Sequence, residues 1–148
     1  MIPTAVSSIL VPLVQRFEGC VLEAYRDATG IWTIGWGHTG QDVVPGLIWT
    51  QEQADAVLET DLAVHYDQLL AISPRLASSA TPSQLAALTD FLYNLGAGTY
   101  RNSTLRSAAE AEAWQNAKLQ LAKWVHAGGK VLPGLVARRS AEIALIDA

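Results

Sequence analysis

Apolar residues follow a helical spacing at the start of the chain. The stretch begins after Ser7 and Ser8, has Pro12 near its first turn, and places Glu18 at its C-terminal end, where Gly19 is expected to stop the helix. The apolar positions at spacings of three and four are Ile9, Leu10, Leu13, Val14 and Phe17. This pattern predicts an amphipathic first helix that delivers an acidic side chain at its tip.

Residues 20–49 have a different pattern, in which β-branched and aromatic residues stand between glycines. Gly30 lies in a predicted tight turn, Gly35 and Gly37 bracket a tryptophan, and the stretch 44–46 (Val-Pro-Gly) marks the end of the sheet. The pattern predicts short twisted antiparallel strands.

From residue 50 the spacing is helical again. Thr50 with Gln53, and Thr81 with Gln84, form capping-box signatures at the starts of two helices. The helices predicted from here on cover about 51–72, 83–95, 103–112, 114–126 and 135–147. The order of elements predicts an α+β fold: one helix and a small antiparallel sheet, followed by an α-helical lobe.

Composition limits the function classes. The chain has 148 residues, of which 50% are hydrophobic and 16% charged, which fits one packed domain. No apolar run is long enough for a membrane span and no secretory signal is evident, so we expect no stable membrane association. Cys20 is the only cysteine, which excludes an internal disulfide.

Charge is distributed unevenly. Residues 1–99 carry a net charge of −7 and residues 100–148 a net charge of +3. The negative overall charge argues against nonspecific nucleic-acid binding. The basic C-terminal third is compatible with contact to an anionic polymer, or with an ordinary solvated face.

Glu18 and Asp27 are the acids placed to share a cleft, one at a helix tip and one in the first hairpin. Apolar neighbours would favour the protonated form of Glu18, whereas Asp27, in a polar turn, should stay ionised. Thr33, six residues after Asp27, offers a hydroxyl that could hold a water. Two carboxyl groups with such environments suit glycoside hydrolysis. An ordinary solvated face with two acids explains the same spacing.

The stretch from Glu18 to Thr39, EGCVLEAYRDATGIWTIGWGHT, resembles the active-site segment of the phage-type lysozymes, glycoside hydrolase family 24. The resemblance continues through AALTDFLYNLG (86–96), STLR (103–106) and GLVARRSAE (134–142). It implies a single lysozyme-like domain over 1–148. In that fold an N-terminal lobe (about 15–50) is joined by a bridging helix (about 51–72) to a helical lobe (about 74–148) on which the first helix packs.

The resemblance also implies a reaction. Family members are endolysins that cut the β-1,4 bond between N-acetylmuramic acid and N-acetylglucosamine in bacterial peptidoglycan. Glu18 would be the general acid, Asp27 the second carboxylate and Thr33 the hydroxyl that positions water. An inverting mechanism is expected, with the two carboxyl groups about 6.5 to 9.5 Å apart.

Further residues follow from the same resemblance. Tyr25, Tyr93 and Asn94 are predicted to line the cleft, and Arg138 and Arg139 either contact peptide carboxylates of the substrate or support the last helix. His38 and Asp61 are predicted to form a structural pair that ties the sheet to the long helix.

The three histidines lack ligand spacing, so neither a metal nor a cofactor is expected.

The predicted partner is the peptidoglycan glycan strand, bound by a monomer. The protein is expected in the host cytoplasm until release, and then in the periplasm and cell wall. Two alternatives remain at this point: a lytic transglycosylase, which needs only one carboxylic acid, and a lysozyme-like module that binds the wall without cutting it.

Overall fold

The computed structural model describes all 148 residues and contains eight helices. Five of them are longer than seven residues and build most of the helical layer, together with three shorter ones. Their bounds are α1 Thr4–Glu18, α2 Gln51–Ile72, α3 Leu76–Ser79, α4 Pro82–Leu95, α5 Ala97–Arg101, α6 Thr104–Glu110, α7 Trp114–Leu121 and α8 Pro133–Ile146. None of these helices combines the length and the apolar character needed to cross a membrane.

Three strands form an antiparallel sheet in the order β1-β2-β3, and two short strands form a separate hairpin. In the sheet, Tyr25 on β1 pairs with Thr33 on β2, and Thr33 pairs in turn with Thr39 on β3. The bounds are β1 Val21–Arg26, β2 Trp32–Gly35, β3 His38–Thr39, β4 His126–Ala127 and β5 Lys130–Val131. The predicted combination of a small antiparallel sheet and a helical part is therefore present.

The hydrophobic core lies among the helices, with α4 at its centre. Leu88, Phe91 and Leu92 of α4 are fully buried and pack against α1, α2 and α8. A second, small cluster of Ala24, Ile34 and Val43 lies beneath the sheet. The sheet therefore forms its own thin layer, and α1 ends at its border with the helices.

Helix α1 begins earlier than the pattern predicts. The amides of Val6 and Ser7 donate to the carbonyl of Pro3, so the first turn forms before Ser8. Pro12 consequently lies inside the helix and not in its first turn. The buried face gains Val6, which continues the apolar stripe toward the N-terminus.

Helix α7 is shorter than predicted. It ends at Leu121, and the chain then forms the β4–β5 hairpin around Gly128 and Gly129, both of which have positive φ. The predicted helix to residue 126 was wrong, because the two glycines favour a hairpin turn over a further helical turn.

Candidate active site

Glu18 lies at the junction between α1 and the three-stranded sheet. It is the last residue of α1, and Gly19 after it has a positive φ of 66°. The turn between β2 and β3 covers one side of the carboxylate, so that a Cβ atom on Gly37 would lie 2.9 Å from Glu18 Oε2. The Glu18 side chain keeps 22% of its surface exposed, which leaves it accessible to a ligand.

Arg138 of α8 holds the other oxygen of Glu18. Its Nη1 donates to Glu18 Oε1 at 2.5 Å, while Nε and Nη2 donate to both carboxylate oxygens of Asp90 at 2.9 and 2.7 Å. Burial lowers the pKa of Arg138, but hydrogen bonds and charge from Asp90, and then from Glu18, outweigh it and raise that pKa. A permanently charged guanidinium therefore fixes Glu18 relative to α4 and α8.

This arrangement differs from two expectations based on the sequence. The sequence predicts an apolar setting for Glu18, but the structure places a guanidinium against its carboxyl group. The sequence also offers Arg138 as a contact for substrate, whereas the structure directs its donors at Asp90 and Glu18 and leaves the side chain 5% exposed. A direct substrate contact by Arg138 stays a prediction.

Asp27 occupies the turn between β1 and β2, where neighbouring donors surround one of its oxygens. Oδ1 accepts hydrogen bonds from the Thr29 amide at 2.8 Å, the Thr29 hydroxyl at 2.7 Å and the Ile31 amide at 2.9 Å. The Thr29 hydroxyl, and then the Ile31 amide, lower the pKa of Asp27. Asp27 is therefore an anion at neutral pH, and its other oxygen has no protein partner.

Thr33 is joined to Asp27 through one intervening residue. The Thr33 hydroxyl donates to the carbonyl of Ile31 at 3.0 Å, and the amide of Ile31 donates to Asp27. Thr33 is buried at 5% exposure on β2. Its hydroxyl oxygen keeps free acceptor capacity, which suits it to orient a water molecule.

Tyr25 on β1 is influenced by the charges of both carboxylates. The pKa of its phenol is raised by partial burial, and then by the negative charges of Glu18 and Asp27. The negative charges of both acids therefore act on the Tyr25 phenol. Tyr25 is 38% exposed, so this ring also offers a surface to a ligand.

A groove of about 520 Å³ opens beside Glu18, on the side of the helical part. It is lined by Phe17, Glu18, Asn94, Leu132, Pro133, Gly134, Leu135 and Arg138. A second depression of about 430 Å³ lies between α1 and α2 and has one ionisable side chain, Glu59. Only the first contains predicted site residues, so we assign the cleft to it.

Tyr93 and Asn94 lie together at the end of α4 but differ in their surroundings. The Tyr93 hydroxyl donates to the carbonyl of Trp36 at 2.7 Å, which ties α4 to the turn over Glu18. Burial, and then the charge of Glu18, raise the pKa of the Tyr93 phenol. Asn94 lines the groove, and its Oδ1 accepts a hydrogen bond from Arg139 at 2.8 Å.

His38 has a carboxylate on each ring nitrogen. Nδ1 lies 2.7 Å from Asp61 Oδ2 on α2, and Nε2 lies 2.9 Å from Asp42 Oδ2. Burial lowers the pKa of His38. The hydrogen bonds and charges of Asp61 and then Asp42 raise it by more, so the net shift of the pKa is upward. With both nitrogens engaged, His38 bridges β3, its following loop and α2.

Two residues of the buried charge cluster behind the groove, Asp90 and Glu142, are absent from the sequence-based site, whereas Arg139 was considered there together with Arg138. Asp90, Arg139 and Glu142 are 0%, 1% and 0% exposed. Burial, and then the negative charge of Asp90, raise the pKa of Glu142, against the opposing effect of Arg139. The spacing of three between Arg139 and Glu142 on a helix was the available signal.

The basic character of the C-terminal third is largely neutralised within the protein. Four of its basic side chains bind carboxylates: Arg106 with Glu110, Lys118 with Asp147, Arg138 with Asp90 and Glu18, and Arg139 with Glu142. The three without a carboxylate partner are Arg101, Lys123 and Lys130. The positive face available to an anionic polymer is therefore smaller than the sequence indicates.

The geometry can be set beside known proteins. The sequence profile described as phage lysozyme matches residues 15–142, which includes every candidate site residue. The chain belongs to the phage lysozyme family. It is thus a lysozyme, an enzyme that hydrolyses peptidoglycan, and the resemblance seen in the sequence is confirmed.

Relatives by sequence are phage endolysins. This lysozyme is 37% identical over 125 residues to the SAR-endolysin of Bacteriophage PS119, covering 84% of the chain and 73% of that protein. It is 35% identical over 144 residues to the endolysin of Bacillus phage PZA, covering 96% of the chain and 55% of that protein. The chain thus spans about half the length of the Bacillus phage enzyme.

Solved structures confirm the lysozyme-like α+β fold. The muramidase domain of SpmX from Asticaccaulis excentricus superposes with a TM-score of 0.86 at 28% identity, covering 97% of both chains. P22 lysozyme, in a mutant form, superposes with a TM-score of 0.82 at 29% identity, covering 100% of both chains. The fold class predicted from the order of elements is therefore confirmed.

Proposed function

We propose that this lysozyme cleaves the β-1,4 bond between N-acetylmuramic acid and N-acetylglucosamine with Glu18 and Asp27 as its two carboxyl groups. Glu18 donates a proton to the oxygen of the leaving sugar. Asp27 takes a proton from the water that attacks the anomeric carbon from the opposite face, with inversion. The products are a reducing muramic acid end and a free hydroxyl on the N-acetylglucosamine.

The observation that carries this proposal is the unequal setting of the two acids, which precede and follow β1 in the chain. Asp27 is held as an anion by three donors on one oxygen, with the other oxygen free. Glu18 is partly exposed at the edge of a groove and is fixed by Arg138. Two carboxyl groups with such different environments suit one proton acceptor and one proton donor.

Other side chains take supporting roles in this proposal. Thr33 orients the attacking water through its hydroxyl oxygen, next to Asp27. Tyr25 and Asn94 contact the sugar strand, and Tyr93 holds the turn that covers Glu18. Arg138 keeps the Glu18 carboxyl group aimed at the cleft, while His38 and Asp61 fix the sheet on α2.

Release of reducing ends from purified peptidoglycan tests the proposal. Glu18→Gln and Asp27→Asn should each lower kcat by about 10² to 10⁴, and Thr33→Val by about tenfold or more. Glu23→Gln changes an exposed carboxylate on β1, between the two acids in the chain, and should leave activity intact. Full activity in Glu18→Gln, or equal loss in Glu23→Gln, contradicts the assignment.

The products separate hydrolysis from the alternative of a lytic transglycosylase. Hydrolysis gives a reducing muramic acid end, whereas intramolecular attack gives an anhydro end. NMR that identifies the anomeric configuration of the product formed first distinguishes inversion from retention. A wall-binding module without activity would give no product at all, and the anhydro product alone would exclude the mechanism proposed above.

We propose that the lysozyme acts on the wall from the periplasm, as the names of its SAR-endolysin and endolysin relatives indicate for those proteins. It would stay in the host cytoplasm until release and act on the glycan strand as a monomer. Fractionation of host cells before and after lysis tests the location. Sedimentation of the purified protein tests the oligomeric state, with a stable dimer as the contrary outcome.

A further inference from the structure

Arg139 is a fully buried cation, and one of its donors contacts a residue of the cleft. Its Nη2 donates to Asn94 Oδ1 at 2.8 Å and to Glu142 Oε1 at 2.7 Å. The guanidinium also lies over the Phe91 ring, 5.3 Å from the centroid, and its Nη1 donates to the Trp124 carbonyl at 3.4 Å. A guanidinium held on several sides has little freedom to rotate.

This contact determines which way the Asn94 amide faces. A guanidinium has donors only, so the atom of Asn94 that meets Arg139 must be the acceptor Oδ1. The NH₂ group of Asn94 is therefore turned away from Arg139. It has no hydrogen-bond partner in the protein and is not sealed from solvent, and Asn94 lines the groove beside Glu18.

We propose that Arg139, anchored by Glu142, is a positioning residue that presents the NH₂ group of Asn94 to the cleft, so that this part of the cleft binds an oxygen acceptor of the substrate. The inference rests on the proposed function, because it concerns the same cleft. The acceptor is a carbonyl or carboxylate oxygen, which peptidoglycan carries in its sugar acetamido groups and in its peptide stems.

Asn94→Asp tests the donor without removing the Arg139 contact. Aspartate keeps an oxygen for Arg139 but presents an oxygen where the NH₂ group was, so a substrate acceptor meets repulsion. On soluble glycan strands, we expect KM to rise about tenfold while kcat changes less than about twofold. An unchanged KM overturns the proposal.

A double-mutant cycle tests whether Arg139 acts through Asn94. Arg139→Met frees the amide to turn over, and we expect KM to rise about fivefold. In the double variant the KM should stay near the tenfold of Asn94→Asp, because the orientation of the amide no longer matters. A product of the two effects, about fiftyfold, would show independent roles and overturn the proposal.

Arg106→Met is the matched control for this cycle. Arg106 is also an arginine of the helical part that binds a carboxylate, Glu110, but it contacts no residue of the groove. We expect Arg106→Met to leave KM unchanged and to preserve the full tenfold effect of Asn94→Asp. Should Arg139→Met fail to fold, the combination of Arg139→Met with Glu142→Gln replaces it in the cycle, because it removes the buried cation together with its acidic partner.

Two substrates separate the sources of the acceptor. Glycan strands with intact stems and strands whose stems have been removed by an amidase are compared in the parent and in Asn94→Asp. A KM effect on both identifies an oxygen of the glycan itself, in an acetamido group or in the lactyl group that the amidase leaves on muramic acid, and an effect only on intact strands identifies a stem oxygen. Failure of the proposed function would be recognised by normal activity of Glu18→Gln. That result is independent of the KM measured for Asn94→Asp.

Discussion

Gly37 lies against the Glu18 carboxylate, so that a Cβ atom at position 37 would stand 2.9 Å from Oε2 and 3.4 Å from the Tyr93 hydroxyl. The distance of 2.9 Å to Glu18 Oε2 is below the ordinary contact distance between carbon and oxygen. The turn between β2 and β3 therefore limits how far Glu18 can move toward the sheet.

Gly37→Ala should lower activity sharply. The added methyl group must push Glu18 away from its present position, and the φ of +97° at this position is unfavourable for alanine. We expect kcat to fall by about tenfold or more, since small displacements of a reacting group are costly. Reducing-end release and thermal unfolding are the measurements.

Gly46→Ala separates backbone strain from contact. Gly46 also has a positive φ, +85°, but a Cβ there would meet nothing within 4 Å. We expect Gly46→Ala to lower the free energy of unfolding by about 1 kcal/mol, as the strain at position 37 does in Gly37→Ala. Its activity should be retained. Equal losses of activity in the two variants would mean that the contact with Glu18 is unimportant.

Arg138→Lys should impair both folding and catalysis. A lysine cannot bind both oxygens of Asp90 and Glu18 at once, so a buried carboxylate loses part of its pairing. We expect a loss of about 2 to 4 kcal/mol in the free energy of unfolding and a fall in kcat of about 100-fold. Denaturant unfolding and kinetics on glycan strands check both values.

Arg106→Lys provides the comparison for Arg138→Lys. The pair between Arg106 and Glu110 is about one-third exposed, so its loss should cost at most about 1 kcal/mol. It should not alter kcat. Similar effects of the two lysine variants would contradict a special role for the bond between Arg138 and Glu18.

Asp61→Asn should weaken the protein most at acidic pH. The folded-state pKa of His38 is raised, so its contribution to stability is full below the unfolded value of about 6.5 and is lost as pH rises through the folded value. We expect the variant to lose about 1 to 2 kcal/mol at pH 5 and less at pH 8.

Glu59→Gln on the same helix is the control for Asp61→Asn. Glu59 is exposed and makes no ion pair, so its replacement should give the same small difference at every pH. Chemical unfolding between pH 5 and pH 8 provides the curves. An Asp61→Asn curve parallel to that of the parent would show that His38 gains no stability from this carboxylate.

Glu142→Gln should become more stable relative to the parent as pH rises. The pKa of Glu142 is raised well above its ordinary value by burial and by Asp90, so the folded protein holds a proton that the unfolded chain releases above about pH 4.3. Stability of the parent therefore falls with rising pH in that window. Glutamine has no proton to lose, and we expect a relative gain of at least about 1 kcal/mol between pH 4 and pH 7.

Glu110→Gln serves as the reference for Glu142→Gln. It removes the carboxylate of a partly exposed pair with Arg106 and should cost at most about 1 kcal/mol, without a relative gain as pH rises. If Glu142→Gln instead loses stability relative to the parent toward neutral pH, Glu142 is an ordinary anion paired with Arg139.

Local signals in the sequence predicted much of the fold. The capping boxes at Thr50 and Thr81 are both formed, and α2 covers the range 51–72 predicted for the long helix. These features depend on residues three or four positions apart, which a pattern can show. The β4–β5 hairpin was missed because its strands have two residues each, too few to display an alternating pattern.

The site was less predictable where it depends on distant parts of the chain. Glu18 and Asp27 could be named from one segment, but the bond from Arg138 to Glu18 joins residues 120 positions apart. Asp90 and Glu142 were assigned to no role, because a charged residue in a helix is normally placed toward solvent. Only the packing of α4 against α8 shows that both are buried.

The distance along the chain between Glu18 and Arg138 also has a consequence for synthesis. A ribosome completes α1 early, and α8 leaves the exit tunnel only after more than a hundred further residues have been added. Until then the acid has no guanidinium beside it, and Asp90 has no counter-ion in the core. A nascent or prematurely terminated polypeptide would therefore lack an assembled active site, which delays bond cleavage until translation has passed the last helix.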